Sequence, residues 1–359
     1  MRNSILPFYQ PTQKVVVSSA DCYQYDEEDK QYIDFDSGVW CANLGHSHPD
    51  LIKAIEHQMK VSFHHGYKFR NYAAEQLSEK LLNLIGFKEG KSVFLSSGSE
   101  AVNLSITLAK HLTGRKKILK IDKSYLSAFG HGQISEQNED LFTIAINDIQ
   151  AIEHIDFSQM AAFVFEPGTS FGLVHFPAAE FVDLIAQKAK AANCRFICDE
   201  VTSGFGRTGK WFGHQHYQIQ PDMVVCGKAL GNGYPVSALC VNAQTAMEFE
   251  LAPFRYAQSH QNDPLGCAAG LEVIRIIEAN NLLNQSDKTG LYFYHKLQTI
   301  KEKHPNKVKE IRARGLMLAL ELSDFIDGDL INNQLFEQGL IIGFKMNVLR
   351  FMPPLTIKL

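Results

Sequence analysis

Between Ser92 and Lys228 the chain alternates short apolar runs with longer amphipathic ones, and few folds accept that pattern. Val93–Leu95, Ile118–Ile121, Leu141–Ile146, Met160–Phe165, Phe196–Cys198 and Val224–Cys226 are rich in Val, Ile and Phe and short enough for buried strands. The stretches between them carry helical spacing, as in 178–192, where Phe181, Leu184 and Ile185 share one side and Asn193 is placed to end the helix. Strands apolar on both faces and joined through helices predict an α/β fold with a mostly parallel central sheet sandwiched by helices.

The flanks differ from this core. Residues 20–36 predict a hairpin whose turn is Asp26–Lys30. Residues 37–49 hold Gly38, Gly45 and a lone Trp40 without periodicity, and read as a loop. Helices are expected at about 50–59, 73–84, from Pro264 with Asp263 as N-cap, and at 288–301. Strands at 316–322, 340–344 and 348–351, with a short helix near 330, form a smaller α/β unit. The expected division is 1–49 as the N-terminal segment of the small domain, 50–255 as the large domain and 256–359 as the C-terminal small domain.

At 359 residues and 45% hydrophobic content the chain can bury a sizeable core. A net charge of −4 supplies no polycationic face, so nucleic acid is not an expected partner. The seven cysteines are scattered without a C-x-x-C, which points to a reducing compartment rather than a disulfide framework or zinc ribbon. The start of the chain lacks the apolar run of a signal peptide, and no stretch approaches a membrane span. A soluble, cytoplasmic protein is expected.

In parallel sheets ligands bind beyond the carboxyl ends of the strands. Leu95 is followed by Ser97-Gly98-Ser99-Glu100, which fits a capping box and opens a helix whose free N–H groups suit a phosphate. Cys198 is followed by Asp199. A carboxylate there needs a cation, either a protein residue such as Arg207 or a protonated ring nitrogen. Cys226 and Gly227 are followed by Lys228, whose amine, if desolvated, stays partly neutral and condenses with aldehydes. An anion cradle, a carboxylate and a lysine on neighbouring strand ends match the phosphate, ring nitrogen and aldehyde carbon of pyridoxal 5′-phosphate.

The chain resembles the class III, ω-type, pyridoxal-phosphate-dependent aminotransferases of fold type I. The resemblance rests on Leu44-Gly-His-Ser-His-Pro49, Ser97-Gly-Ser-Glu-Ala101, Glu166-Pro167, the run Asp199 to Gly209, Gly227-Lys-Ala-Leu-Gly-Asn-Gly233, Arg314-Gly315 and Leu349-Arg-Phe-Met-Pro-Pro-Leu355, which span nearly the whole chain. It implies that Lys228 forms the Schiff base and shuttles the proton, while Asp199 keeps the pyridine nitrogen protonated. Ser97, Gly98 and Ser99 would bind the phosphate, Tyr125 would stack on the ring and Val201 would pack on its other face. Thr202 stands where a glutamine usually reaches the ring hydroxyl. Ser259 stands where a threonine reaches the phosphate of the other subunit, which implies a homodimer with shared active sites. Arg350 would bind a substrate carboxylate, and Trp40 would line the pocket. The implied reaction is a ping-pong transfer from an amine or ω-amino acid donor to a 2-oxo acid.

Two departures bear on substrate. Tyr125-Leu-Ser-Ala-Phe129 replaces a family segment that carries an arginine. Gly168-Thr-Ser-Phe-Gly172 lacks the acidic residue that pairs with the carboxylate-binding arginine in some relatives, and is a little like the dialkylglycine decarboxylase segment. A decarboxylase, racemase or aminomutase reaction on the same scaffold is therefore the alternative. From another class, Gly204-Phe-Gly-Arg-Thr-Gly209 is a literal G-x-G-x-x-G, so an NAD-dependent dehydrogenase competes, although Lys210–His216 does not read as a helix. His46/His48, His64/His65 and His214/His216 have no carboxylate or cysteine at matching spacing, and no metal is expected.

Overall fold

The computed structural model describes residues 4–6, 8–9, 11–134 and 138–358. Its centre is a seven-stranded sheet in the order Lys91–Leu95, Ser237–Val241, Met223–Cys226, Arg195–Asp199, Met160–Phe165, Lys117–Ile121, Leu141–Ile144. Ser237–Val241 runs antiparallel to both neighbours, and the remaining strands are parallel to one another. This strand was not expected. Ser237, Ala238 and Cys240 are small, poor strand formers, and the segment follows a glycine-rich loop with no helix before it. The register sets Phe165 opposite Cys198, Asp199 opposite Val225 and Ala238 opposite Cys226. The carboxyl ends of the strands that carry Leu95, Phe165, Asp199 and Cys226 therefore share one edge of the sheet.

Apolar side chains fill the interior between sheet and helices. Phe196 meets Phe163 and Phe165 edge-on, at centroid distances of 5.2 and 6.0 Å. Helix Tyr72–Ile85 starts at Asn71, whose side chain accepts the Ala74 N–H. Helix Ala179–Ala191 ends before Asn193, which is left-handed at φ 53°. Helix Pro264–Ala279 begins after Asp263 as expected, yet that carboxylate makes no capping bond. Helix Leu282–Lys303 starts a turn and a half earlier than its periodicity suggests.

The two chain ends build the flanking layers together. Tyr23–Asp26 and Gln31–Asp34 form the expected hairpin, its turn held by the Asp26 carboxylate, which accepts the N–H groups of Glu28 and Lys30. Val16–Ala20 joins one edge, and Leu340–Ile341, more than 300 residues later, pairs in parallel on the other. A third sheet runs Val308–Arg314, Met317–Leu322, Val348–Phe351, Gly343–Lys345. Residues 37–40 are a left-handed turn, with φ from 47° at Ser37 to 66° at Trp40, where a loop was expected.

Arg207 fastens these layers to the sheet. It is fully buried, and its guanidinium donates to Leu316 O at 3.0 Å, Pro353 O at 2.5 Å and Asn43 Oδ1 at 2.6 Å. Asn43 in turn donates to Phe205 O at 2.9 Å. Replacing Arg207 with methionine leaves these acceptors buried and unpaired, at about 1–3 kcal/mol each. Arg207→Met is predicted to lose about 3 kcal/mol or more, read as a lower urea midpoint than the parent.

Candidate active site

Lys228 leaves its strand in a left-handed conformation, φ 45°, a costly backbone for a residue with a Cβ and one that turns its side chain off the strand line. Its Nζ donates to Thr202 Oγ1 at 2.8 Å and lies 4.4 Å from the centre of the Trp40 ring. Burial pulls the amine below its ordinary value of 10.5, against the opposing pull of Cys41, Asp199, Glu166 and Asp36. That raises the neutral, nucleophilic fraction.

Asp199 is 4% exposed and accepts the Val201 N–H at 3.0 Å. Burial, and then the charge of Glu166, hold its carboxyl well above the usual range. Glu166 is buried as well and is also raised by burial. It accepts the N–H groups of Tyr125 and Ser170, at 3.1 and 3.2 Å, and the Ser170 hydroxyl. Arg207 is not the partner of Asp199, because its guanidinium is committed to Leu316, Pro353 and Asn43. Two carboxylates thus share a dry corner with Lys228.

The helix Gly98–Thr113 points its first turn at this corner. Ser97 Oγ accepts the Glu100 N–H at 3.2 Å, and Glu100 reaches back to the Ser96 N–H at 3.0 Å, one residue earlier than the expected capping box. The N–H groups of Gly98 and Ser99 lie in the first turn, where no intrahelical acceptor exists. A Cβ on Gly98 would sit 2.7 Å from Val201 Cγ1, and one on Gly227 would sit 3.3 Å from Gly98 Cα. The absence of side chains at both positions lets the three strand-end loops touch, with Val201 between them. Ser99 Oγ accepts the Ala128 N–H at 3.0 Å and so anchors the loop that carries Tyr125, which is 40% exposed at the rim.

Trp40 and Arg350 form the other wall. The Lys228 amine and the Arg350 guanidinium both lie against the Trp40 ring, the arginine Cζ 4.7 Å from its centre. Trp40 Nε1 donates to Asp36 Oδ1 at 2.9 Å. Burial pushes the Asp36 carboxyl up to about 6, opposed by Arg350. A Cβ on Gly343 would fall 2.8 Å from both Asp36 Oδ1 and Arg350 Nε, so the glycine leaves room for the acid and the arginine to face each other. Arg350 Nε is buried and has no hydrogen-bond partner among the described residues. Sequence reasoning missed Asp36, and it named Glu166 only as part of a motif, without a role. The spacing of Asp36 to Trp40 is one helical turn, but no helix was expected there. Ser259 is exposed and, among the described residues, makes no hydrogen bond to this group.

The glycine run 204–209 lies in turns and leads to a short 3₁₀ turn, Gly213–His216, not to a helix. No helix start faces a pyrophosphate there, which removes the dinucleotide reading. His214 is bonded to Glu200 at 2.7 Å and His46 to Asp34 at 2.7 Å.

The family model described as aminotransferase class-III matches residues 7–135 and 128–359. The chain belongs to the class III aminotransferases. The acetylornithine aminotransferase of Caldanaerobacter subterraneus is 33% identical over 352 residues, covering 93% of this chain and 88% of that one. A probable 4-aminobutyrate aminotransferase of Bacillus subtilis is 29% identical, covering 93% and 86%. The crystal structure of acetylornithine aminotransferase from Elizabethkingia anophelis superposes with a TM-score of 0.87 at 28% identity, covering 98% and 91%.

The aminotransferase is pyridoxal-phosphate-dependent, and its residues fit that group. A buried carboxylate with an elevated pKa, a lysine with a lowered one and a helix start closed by Val201 complement a cationic ring nitrogen, an aldehyde and a phosphate.

Unfolded, Asp199 titrates near 3.8; folded, it titrates well above. The folded state therefore holds the extra proton between those values, and stability falls as pH rises from the unfolded value through the folded one. Asp199→Asn removes this loss. In cofactor-free protein the variant is predicted to melt above the parent at about pH 8, with the difference closing as pH falls toward about 4. Thermal scans across that range check it, and a variant that melts lower at high pH contradicts it.

Proposed function

We propose that this aminotransferase moves an amino group from an amine or ω-amino acid to a 2-oxo acid in two half-reactions, with Lys228 as the working base. The observation that carries the reading is the convergence of Lys228, Asp199 and the Gly98–Ser99 helix start on one sheet edge. Relatives named for acetylornithine and 4-aminobutyrate support a donor of that class.

When bound, pyridoxal phosphate supplies the aldehyde that takes the amino group and the ring that withdraws electrons. In this reading the Gly98 and Ser99 N–H groups, with Ser97 at the cap, hold its phosphate. Asp199 keeps the ring nitrogen protonated, and Glu166 reinforces that negative corner. Val201 and Tyr125 would pack against the ring. Thr202 accepts from the Lys228 amine at 2.8 Å and would be the residue to meet the ring hydroxyl. The Lys228 amine, once freed, would serve as the base that takes the proton from the substrate carbon bearing the nitrogen and, as the conjugate acid, gives it back on the cofactor side of that nitrogen. Arg350 binds the substrate carboxylate, and both that cation and Lys228 lie against the Trp40 ring. Asp36 balances Arg350 when no carboxylate is present.

The exposed turn that carries Ser259 supports its reaching the phosphate of a second subunit, which makes the working unit a homodimer with shared sites. Residues 1–49 and 256–359 are taken as the small domain and 50–255 as the large one; the shared sheet of the chain ends supports the pairing of the terminal segments. No helix among the described residues is long and apolar enough to cross a membrane, and the cytoplasm is the proposed location.

Lys228→Ala is predicted to abolish both transamination and the visible absorbance of lysine-bound cofactor. A variant that keeps both removes Lys228 from its role, and carbon dioxide release from the parent without amino transfer favours the decarboxylase alternative. Arg350→Ala loses a charge-assisted contact worth about 1.5–3 kcal/mol, so KM for carboxylate acceptors is predicted to rise about 10–100-fold with a smaller change in kcat. Steady-state kinetics with an uncharged aldehyde acceptor, whose KM stays constant, provide the control.

A further inference from the structure

One cluster of metal-ligating side chains takes no part in the site above. His64 and Asp263 lie 199 positions apart in the chain, yet His64 Nδ1 is 3.3 Å from Asp263 Oδ1. His260 Nδ1 is 2.7 Å from Asp263 Oδ2. The two imidazoles face each other with centroids 4.6 Å apart, and one ligand atom from each of the three residues falls within 4.8 Å of the others. His260 and Asp263 are three residues apart, but His64 joins them only through the fold, so no metal site is read from the sequence, where His64/His65 stand without a carboxylate at matching spacing.

The carboxylate is placed for something other than capping. Asp263 stands at the N-cap of helix Pro264–Ala279, where an aspartate ordinarily accepts a first-turn N–H. It makes no such bond, and each of its oxygens faces an imidazole instead. The turn beneath is fixed to the central sheet. Asn262 N–H donates to Phe94 O at 2.9 Å, the Phe94 N–H donates to Asn262 Oδ1 at 2.9 Å, and Asn71 Nδ2 donates to Asn262 O at 2.9 Å. The last of these ties the 62–71 segment, which carries His64, to the same turn.

We propose that His64, His260 and Asp263 bind one divalent transition-metal ion, with Zn²⁺ as the best fit. Two imidazoles and a carboxylate are a donor set that zinc and its neighbours accept and that magnesium and calcium do not prefer. With bonds of about 2.0–2.2 Å, tetrahedral ligand atoms stand about 3.3–3.4 Å apart. The His64 to Asp263 separation of 3.3 Å already matches, and small side-chain rotations bring in His260. His260 and Asp263 also line a cavity of about 220 Å³ with Leu95, Ser96 and Tyr234, which leaves room for water at the fourth position. The ion clamps 62–71 onto the 258–263 turn and so immobilises Ser259.

The test titrates holoenzyme with zinc chloride by calorimetry and with cobalt chloride by absorption. One Zn²⁺ binds per chain, Mg²⁺ does not compete, and Co²⁺ gives the intense visible bands of a four- or five-coordinate site. His64→Gln and His260→Gln each weaken zinc binding by more than about 100-fold, beyond the 10–100-fold typical of losing an outer-shell partner. Amide exchange in 258–263 slows on adding zinc to the parent and not to either variant. Both histidines are partly exposed, at 34% and 57%, so the variants fold, and circular dichroism confirms it. Zinc uptake unchanged in the double variant overturns the site, and so does parent protein that gives no cobalt bands at one equivalent. Neither result touches the Lys228 assignment.

Discussion

Two carboxylates share a buried corner with one amine, and the surrounding structure is arranged around that imbalance. An isolated buried carboxylate carries a penalty of several kcal/mol. The fold contains it by directing backbone donors inward, from Val201 to Asp199 and from Tyr125 and Ser170 to Glu166. Those bonds set the paths of three loops. Burial and the charge of Glu166 hold the proton on Asp199, so a cation brought beside these acids would be favoured over a neutral group. The same corner also keeps Lys228 from losing its proton entirely, because Asp199 and Glu166 oppose the effect of burial.

Sequence reading reached this corner because its parts sit at strand ends, where local pattern and function coincide. Ser97, Asp199 and Lys228 each follow an apolar run, and each is out of place as a core residue. Thr202 and Val201 came with Asp199. The strand Ser237–Val241 escaped because small residues hold it by pairing, not by propensity. Asp36 escaped because its meaning depends on Arg350, which arrives from the far end of the chain. In sequence, His64 carries no metal expectation and Asp263 reads as an N-cap, because only the fold brings them together. Arg207 was read as a possible salt-bridge partner, and only the fold shows that carbonyl oxygens consume it.

The wall formed by Trp40 and Arg350 is assembled from both ends of the chain. Asp36 and Trp40 follow the hairpin, and Arg350 lies in the strand Val348–Phe351. The pairing of Leu340–Ile341 with Gln31–Asp34 brings them into one layer. Two cations lie against the Trp40 ring, and Gly343 leaves the gap in which Asp36 meets Arg350. This wall is built from different segments of the chain than the strand ends that carry Asp199 and Lys228.

Arg207 also imposes an order in time. Its acceptor at Pro353 lies 146 residues later. At about 5–20 residues per second, translation separates the two by roughly 7–30 s. Asn43 is already made when Arg207 appears, Leu316 follows 109 residues later and Pro353 last. The turn from 200 to 214, which leaves the sheet directly behind Asp199, therefore gains its full set of buried acceptors only once residues 316 and 353 have been made.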